Sequence, residues 1–228
     1  MGRGSSGLKN GGGHAVTEVA VQSGITVKLN MPLIYGDKDP AITGNLRNVL
    51  EAQEAKHLND SIEYGYGAYD NGDVVMNELV GTSEGVRVPV YVLNESVAFT
   101  HSHPRGARED AYMIGGTFSK GDMDLFSLYA VRTYRASAAE GTYSITKSEK
   151  FNAKGFFSYY KNKFDSNMND FMQKRENLKK RSARGEFSSY DDYLKHYSAA
   201  FNDMLISNHN ALREGQSKYG YSYTLERR

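Results

Sequence analysis

The chain has 228 residues, which is enough for one domain with a sizeable core or for one domain with an appendage. Its 28 Lys and Arg residues nearly balance 27 Asp and Glu residues, and the net charge of +1 excludes a global field that would recruit nucleic acid or an anionic membrane. Cysteine is absent, which excludes disulfide bonds, thiolate metal sites and a cysteine nucleophile. A metal site in this chain would therefore use His, Asp or Glu.

Targeting signals are not evident in the sequence. No apolar run approaches the roughly 18 residues that a membrane-spanning helix needs. The N-terminus lacks the charged and then apolar pattern of a secretory signal peptide. We therefore expect no membrane partner and a soluble, cytoplasmic protein, with delivery by a signal-free route as the alternative.

Residues 1–40 have the composition of a flexible, glycine-rich arm. Glycine and serine dominate Met1 to Gly7, and three further glycines follow at Gly11 to Gly13. No Gly-Lys-Ser/Thr follows these glycines and no strand precedes them, which argues against a phosphate-binding loop. The alternating β-branched residues of Val16 to Leu29 predict a strand or an arm that docks on a neighbour.

The segment from Asn45 to about Asp60 predicts a helix, because apolar residues recur on one side of it. The apolar stripe consists of Leu46, Val49, Leu50 and Ala55. We expect the charged residues of the same segment to face water: Arg47, Glu51, Glu54 and Lys56.

A β-rich segment follows. Ile62 to Tyr69 is rich in aromatic residues, Asp70 to Asp73 is typical of a turn, and Val74 to Val80 continues as a second strand. Val86 to Leu93 predicts a third strand and Val97 to Thr100 a fourth.

Two histidines come directly after the fourth strand. Side chains two residues apart project from the same face of an extended backbone, so we expect His101 and His103 to lie side by side, as two ligands of one metal would. Asp122 could supply a third ligand, and three protein ligands with an open position are typical of catalytic zinc. Ser119 and Asp122 also have the spacing of a capping box before a helix from Gly121 to about Ala130, so a structural role for this pair stays open.

The rest of the chain predicts one hairpin and two helices. Arg132 to Ser137 and Thr142 to Thr146 are the two strands of the hairpin. From Phe151 onward apolar residues recur at steps of three and four, with a break at Gly185, which predicts two antiparallel helices.

A basic cluster in these helices is interleaved with acidic residues, so we expect a solvated face rather than a nucleic-acid contact. His196 and His209 are too far apart in sequence to pair as ligands, and we expect both on the surface. The basic cluster consists of Lys174, Arg175, Lys179, Lys180, Arg181 and Arg184.

The histidine motif and its surroundings resemble the signature of the JAB/MPN metallopeptidases, also called JAMM. An acidic residue on an early strand precedes His101-Ser102-His103-Pro104, and Ser119-Lys120-Gly121-Asp122 follows at a helix start. The detail is similar to the branch shared with RadC-like proteins and with domains attached to tailed-phage head proteins and polymorphic toxins. Members of that branch have His-Asn-His-Pro, then Phe-Ser-x-x-Asp, then a hairpin that contains glycine. The corresponding residues here are the His101–Pro104 motif, Phe118 with the Ser119–Asp122 motif, and the hairpin through Gly141. The resemblance covers roughly Ile62 to Lys147.

This resemblance implies a zinc-dependent hydrolase that cuts a peptide or isopeptide bond of a protein or peptide substrate. It assigns His101, His103 and Asp122 to Zn²⁺, and Ser119 to the scissile carbonyl oxygen. An upstream glutamate would be the general base that takes a proton from the metal-activated water.

Three glutamates are candidates for that base. We favour Glu63 because the glutamate of the family enters from the strand before the turn. Glu78 also lies on a predicted strand, and Glu95 is closer in sequence, so both stay open. The stretch from Arg105 to Phe118 is longer than in the family, which predicts a substrate-gripping loop or lid, or else a site that has lost its activity.

The predicted architecture is α+β and JAB/MPN-like, a mixed, mostly antiparallel sheet flanked by helices. We expect three parts: the arm at residues 1–40, a metal-binding domain at residues 41–150 and a C-terminal helical hairpin at residues 151–228. One alternative function is a non-catalytic structural or interaction module of a phage or mobile element, with an assembly partner and a virion-associated location. Another is a nucleic-acid-binding, RadC-like protein.

Overall fold

A computed structural model describes residues 17–20, 26–29, 33–57, 60–70, 74–82, 85–103 and 116–227. The strands are β1 (Thr17–Ala20), β2 (Thr26–Leu29), β3 (Tyr64–Asp70), β4 (Val74–Val80), β5 (Ala98–Ser102), β6 (Thr133–Ala138), β7 (Gly141–Lys147) and β8 (Tyr221–Glu226). The helices are α1 (Gly44–Lys56), α2 (Val90–Glu95), α3 (Lys120–Leu128), α4 (Ala153–Ala183) and α5 (Tyr190–Tyr219). Three predicted features lie outside the described residues: the glycine-rich start of the arm, the turn at Asn71 to Asp73 and most of the loop that begins at Arg105.

Six strands form the central sheet in the order β4-β3-β5-β6-β7-β8, and β1 pairs with β2 separately. Every neighbouring pair in the central sheet is antiparallel except β5 and β6, which are parallel. A parallel pair needs a crossover, and the chain between β5 and β6 contains α3. The predicted α+β fold with a mixed, mostly antiparallel sheet is confirmed.

The larger core lies on one face of this sheet. Side chains alternate across each strand, so Phe99 on β5, Tyr134 on β6 and Ile145 on β7 point to the same side. They pack with Met123 of α3 and Phe156 of α4 in one buried cluster. This packing places α3 and the C-terminal helices on the face that also carries His101.

The opposite face is covered by α1 and is largely polar. Leu50 of α1 packs on Ala98, but Arg135 of β6 is fully buried beside it. The Arg135 guanidinium donates to both carboxylate oxygens of Glu54, at 2.7 and 3.0 Å, and to Glu226 at 3.2 Å. The prediction that Glu54 faces water is therefore wrong, because a buried guanidinium needs carboxylates around it.

The predicted strand at Val86 to Leu93 is also wrong. Residues 86–89 are irregular, and α2 begins directly after Pro89. Proline cannot donate to a strand ladder, and its fixed φ suits a helix start. Val92 and Leu93 are fully buried against the sheet, and this burial outweighs the strand preference of the valines.

The two C-terminal helices form the predicted hairpin. The Tyr159 hydroxyl donates to the Ala211 carbonyl near one end, and Phe171 packs on Phe201 further along, so α4 and α5 are antiparallel. None of the helices in the described part of the chain has the length and apolar character that crossing a membrane requires.

The chain after α5 returns to the sheet, which the sequence analysis did not predict. Gly220 ends α5 with φ of 73°, a left-handed conformation that suits glycine, and β8 then pairs with β7 along its whole length. His209 of α5 is fully buried, and its Nδ1 lies 2.8 Å from the Tyr223 hydroxyl of β8. The prediction of a surface position for His209 is wrong because β8 covers this side of α5.

Candidate metal centre

Three potential ligands meet at the junction of β5 and α3. His101 lies on β5, His103 is the first residue after that strand, and Asp122 is the third residue of α3. Their ligand atoms all lie within 4.8 Å of one another. The two histidine Nε2 atoms are 3.0 Å apart, and the Asp122 oxygens lie 3.3 Å from His101 Nε2 and 3.9 Å from His103 Nε2.

The start of α3 holds the aspartate in place. Ser119 Oγ accepts from the backbone N–H of Asp122 at 3.1 Å, and Asp122 Oδ2 accepts from the backbone N–H of Ser119 at 2.7 Å, which completes a capping box. The other oxygen, Oδ1, faces His101. The capping and ligand interpretations are therefore compatible, because the cap orients the carboxylate toward the imidazoles.

A chain of hydrogen bonds orients His103 from behind. Its Nδ1 lies 3.0 Å from the Gly116 carbonyl, which can only accept, so Nδ1 carries the proton and the Nε2 lone pair faces the cluster. The Gly116 N–H donates to Glu140 Oε1 at 2.8 Å, and the Tyr143 hydroxyl donates to the same oxygen at 2.7 Å. Sequence reasoning missed Glu140 because it follows two alanines in a hairpin turn, where a glutamate normally faces water.

Tyr134 supports the other side of the cluster. Its hydroxyl donates to Asp122 Oδ1 at 3.4 Å, and its ring meets the His101 ring edge to face. Burial and the Asp122 charge raise the pKa of Tyr134 well above its usual value, so the hydroxyl stays protonated. In the sequence, Tyr134 is indistinguishable from any other buried aromatic residue of a strand.

Charge within the cluster shifts the pKa values of His101 and Asp122 in opposite directions. Burial by itself would lower the pKa of His101, but the Asp122 carboxylate, assisted by Glu63, raises it overall. Burial would likewise raise the pKa of Asp122, yet His101 and His103 hold it well below its usual range. The site therefore stabilises positive charge between these side chains, as a cation-binding site does.

The donor set and its spacing fit a zinc ion. Tetrahedral zinc with Zn–N bonds of about 2.0–2.1 Å places neighbouring ligand atoms about 3.3 Å apart. The distances of 3.0 and 3.3 Å at His101 lie close to that value, and 3.9 Å at His103 needs only a small closure. Two imidazoles and one carboxylate leave a fourth position for water, but these residues alone do not identify the metal.

Glu63 is the candidate base that the structure brings to this site. It precedes β3, and its side chain lines the same cleft as His103 and Ser119. Glu78 instead lies on β4, where its carboxylate is 3.8 Å from the Lys56 ammonium. Glu95 is exposed at the end of α2.

The cleft has a volume of about 370 Å³ and lies between the metal centre and the C-terminal helices. One wall contains Glu63, His103 and Ser119, and the other belongs to α4 and α5. The site is therefore open to a ligand of the size of a peptide segment.

The basic cluster on α4 lies apart from this cleft, and most of its cations are paired. Lys179 contacts Glu176 at 2.8 Å, and Lys174 contacts Asp203 at 3.2 Å. Arg181 and Arg184 both contact Glu186.

No protein-family model, curated protein or solved structure matches the chain.

Proposed function

We propose that this protein is a zinc-dependent hydrolase that cleaves a peptide or isopeptide bond, the activity that the JAB/MPN resemblance implies. The observation that carries the proposal is the convergence of His101, His103 and Asp122 in one cluster, with Glu63 and Ser119 in the adjoining cleft. These side chains come from three separate segments of the chain. Their meeting is therefore a property of the fold and not of one local motif.

The three ligands would hold the ion beside the cleft, which His103 lines. When bound, zinc lowers the pKa of a coordinated water toward about 7 and polarises a carbonyl group. Tyr134 and the capping box keep Asp122 aimed at the two rings, and Gly116 keeps His103 in the ligating tautomer. The chain thus supplies both the ligands and the contacts that hold them.

Glu63 acts as the general base. Its carboxylate accepts the proton from the attacking water and returns it to the leaving nitrogen, which converts a poor leaving group into an amine. Glu63 is half-buried beside His103 and already interacts electrostatically with His101.

Ser119 stabilises the carbonyl oxygen of the substrate. Ser119 lines the cleft, and its oxygen accepts from the Asp122 N–H. Its hydroxyl, which also bonds the Asp122 carboxylate, would turn to donate to the substrate carbonyl oxygen. A donor aimed at the developing oxyanion contributes about 10²–10³ in rate.

Metal content and hydrolysis of an unbiased peptide library, read by mass spectrometry, test this proposal. We expect stoichiometric zinc in the wild type and loss of zinc in Asp122→Asn and His103→Ala. Glu63→Gln should keep its zinc and lose about 10²–10⁴ in rate. Glu78→Gln is the matched control, because it changes a surface glutamate of the neighbouring strand and should alter neither readout.

Two results would contradict the hydrolase. One is a zinc-loaded wild type that cleaves no amide bond, which would favour the structural-module alternative. The other is a Glu63→Gln variant that hydrolyses peptides as fast as the wild type, which would remove the proposed base.

A further inference from the structure

The wall of the cleft opposite the metal centre is mostly apolar, with Asp165 and Asn208 as its polar residues. α4 contributes Phe164 and Met168, and α5 contributes Phe201, Met204 and Leu205. Phe164 and Met204 are buried and form the floor, whereas Met168 is 44% exposed and lies at the mouth. The helical hairpin therefore provides a pocket with an apolar base and an open entrance.

This apolar pocket is continuous with the catalytic side of the cleft. Glu63, His103 and Ser119 line the same cavity of about 370 Å³. A cavity of this size accommodates one large side chain together with a short stretch of backbone. A side chain in the pocket would place its own peptide bond beside the metal centre.

The charges at the rim of the pocket cancel. Besides Glu63 and His103, the described ionisable residues that line the cavity are Lys120 and Asp165, and they form an ion pair at 2.6 Å. Apart from Glu63, the proposed base beside the metal centre, the described lining offers a charged substrate side chain no charge that is not already paired, and burial there would remove the hydration of that side chain. The chemistry of the pocket therefore favours an apolar side chain.

Leu205 of the pocket wall also contacts Gly116, the residue whose carbonyl accepts from His103. Gly116, whose carbonyl orients His103, has φ of 88°, and a Cβ atom built on it would lie only 2.8 Å from Leu205 Cδ1. Leu205 thus packs directly on the backbone behind His103. This contact ties the position of the pocket wall to the position of the ligand.

From these contacts, the geometry points to a specificity pocket in which α4 and α5 bind a large apolar side chain of the peptide substrate, next to the bond that is cut. This inference rests on the proposed hydrolase function and deepens it, since it names the substrate class. Phenylalanine, leucine, methionine and tyrosine have the size and polarity that fit.

Two methionines of α4 provide a matched test. Met168 lines the pocket, whereas Met172, one helical turn further on and 38% exposed, lines a separate surface depression. Met168→Trp should fill the mouth of the pocket, and Met172→Trp makes the same change outside it. Both side chains are partly exposed, so neither substitution disrupts the core, and thermal melting checks this.

Binding is measured on Glu63→Gln protein, in which peptides stay intact. The probes are acetyl-Gly-Gly-Xaa-Gly-Gly-amide peptides with Phe, Leu, Ala or Lys at Xaa, and the readout is the NMR methyl signals of isotope-labelled methionines. Phe and Leu peptides should shift the signals of Met168 and Met204, leave Met172 unchanged, and bind at least about tenfold more tightly than Ala or Lys peptides. Met168→Trp should abolish this preference and Met172→Trp should retain it.

Equal binding of all four peptides, or equal effects of the two tryptophan variants, would overturn the pocket. Hydrolysis by the zinc-loaded wild type is scored separately. Apolar preference without cleavage would uphold the pocket and reject the hydrolase, and cleavage without apolar preference would do the reverse.

Discussion

At the residue scale, the position of His103 depends on atoms that do not contact the metal site themselves. Glu140 accepts from the Gly116 N–H, and the Gly116 carbonyl in turn accepts from His103 Nδ1. Tyr143 fixes Glu140 through a second hydrogen bond to the same oxygen. Loss of any of these hydrogen bonds would let the His103 imidazole rotate away from Asp122.

Glu140→Ala should therefore weaken zinc binding by about 10-fold, the low end of the effect of losing a hydrogen bond made directly to a ligand, because Glu140 acts on His103 through Gly116. Glu140→Gln, which keeps an oxygen for the Gly116 N–H, should recover most of the affinity. Competition with a fluorescent zinc chelator measures both. Glu149→Ala, at an exposed position after β7, is the control, and an equal loss there would disprove the role of Glu140.

The buried Arg135 predicts a large difference between two glutamates of one helix. Glu54→Ala leaves the guanidinium without its bidentate partner and should cost about 3–5 kcal/mol of unfolding free energy. Glu51→Ala, one turn earlier, removes ion pairs of a carboxylate that is 37% exposed, with Lys38 and Arg47, and should cost about 1 kcal/mol or less. Urea denaturation measures both, and equal losses would contradict the burial argument.

Individual residues differ in how well the sequence reveals them. His101 and His103 are predictable because side-chain alternation needs only two neighbouring positions on a strand. Glu54 and Glu140 are not, because their burial depends on partners distant in sequence, Arg135 and Gly116. The aspartate ligand lies between these cases, since Asp122 belongs to a recognisable capping box whose second function appears only when α3 meets β5.

At the element scale, two helices start with the same Ser-x-x-Asp motif in different surroundings. Ser119 caps α3 and Ser189 caps α5, and each Oγ accepts from the aspartate N–H at 3.1 Å. Only the first of these serines lines the cleft beside the metal centre. A comparison of the two serines therefore distinguishes the effect of helix capping from the proposed catalytic role of Ser119.

Ser119→Ala and Ser189→Ala should each cost about 1 kcal/mol of unfolding free energy, because each removes one N-cap. Ser119→Ala alone should also lower the rate of peptide hydrolysis by about 10²–10³. Zinc content should stay unchanged, because the backbone N–H of residue 119 still donates to Asp122 Oδ2 and keeps the carboxylate in place. Chemical denaturation and initial rates on the same preparations give both quantities. A parallel fall in rate for Ser189→Ala would assign the effect to stability instead.

Most helices and strands follow from periodicity, and the exceptions have physical causes. The hairpin of β6 and β7 and the long helices α4 and α5 have strong local patterns and are confirmed. The valines before α2 resemble a strand, but the helix there is set by Pro89 and by burial against the sheet. β8 escaped prediction because it is short and follows a long helix without a strong turn signal other than Gly220.

At the scale of the whole molecule, His209 connects the helical hairpin to the sheet. It lies on α5, its Nδ1 meets the Tyr223 hydroxyl of β8, and its ring packs on Tyr143 of β7. Burial, with a further contribution from the Arg213 charge, lowers the pKa of His209 to about 4. The folded protein thus keeps this ring neutral at pH values where an unfolded chain would protonate it.

This difference predicts a loss of stability in acid. A histidine in the unfolded chain has a pKa near 6.5. The contribution of His209 to the free energy of unfolding is therefore fully present above about pH 7.5 and is lost as pH falls toward 4. Between pH 7.5 and 5 the contribution of His209 should be about 2 kcal/mol. Urea denaturation at the two pH values should show a smaller loss in His209→Gln than in the wild type.

His196→Gln is the control for this titration, since His196 lies on the same helix and is half exposed. It should keep the pH dependence of the wild type. An unchanged acid loss in His209→Gln would show that the ring already binds a proton in the folded protein.

The place of β8 in the chain has a consequence for synthesis on the ribosome. Arg135 emerges long before Glu226, and the edge of β7 has no β8 to pair with until residues 221–226 have been translated. A nascent chain without them would bury a guanidinium with an incomplete set of counter-charges, at a cost of several kcal/mol. The closure of the central sheet must therefore wait for β8, even though every proposed metal ligand is synthesised much earlier.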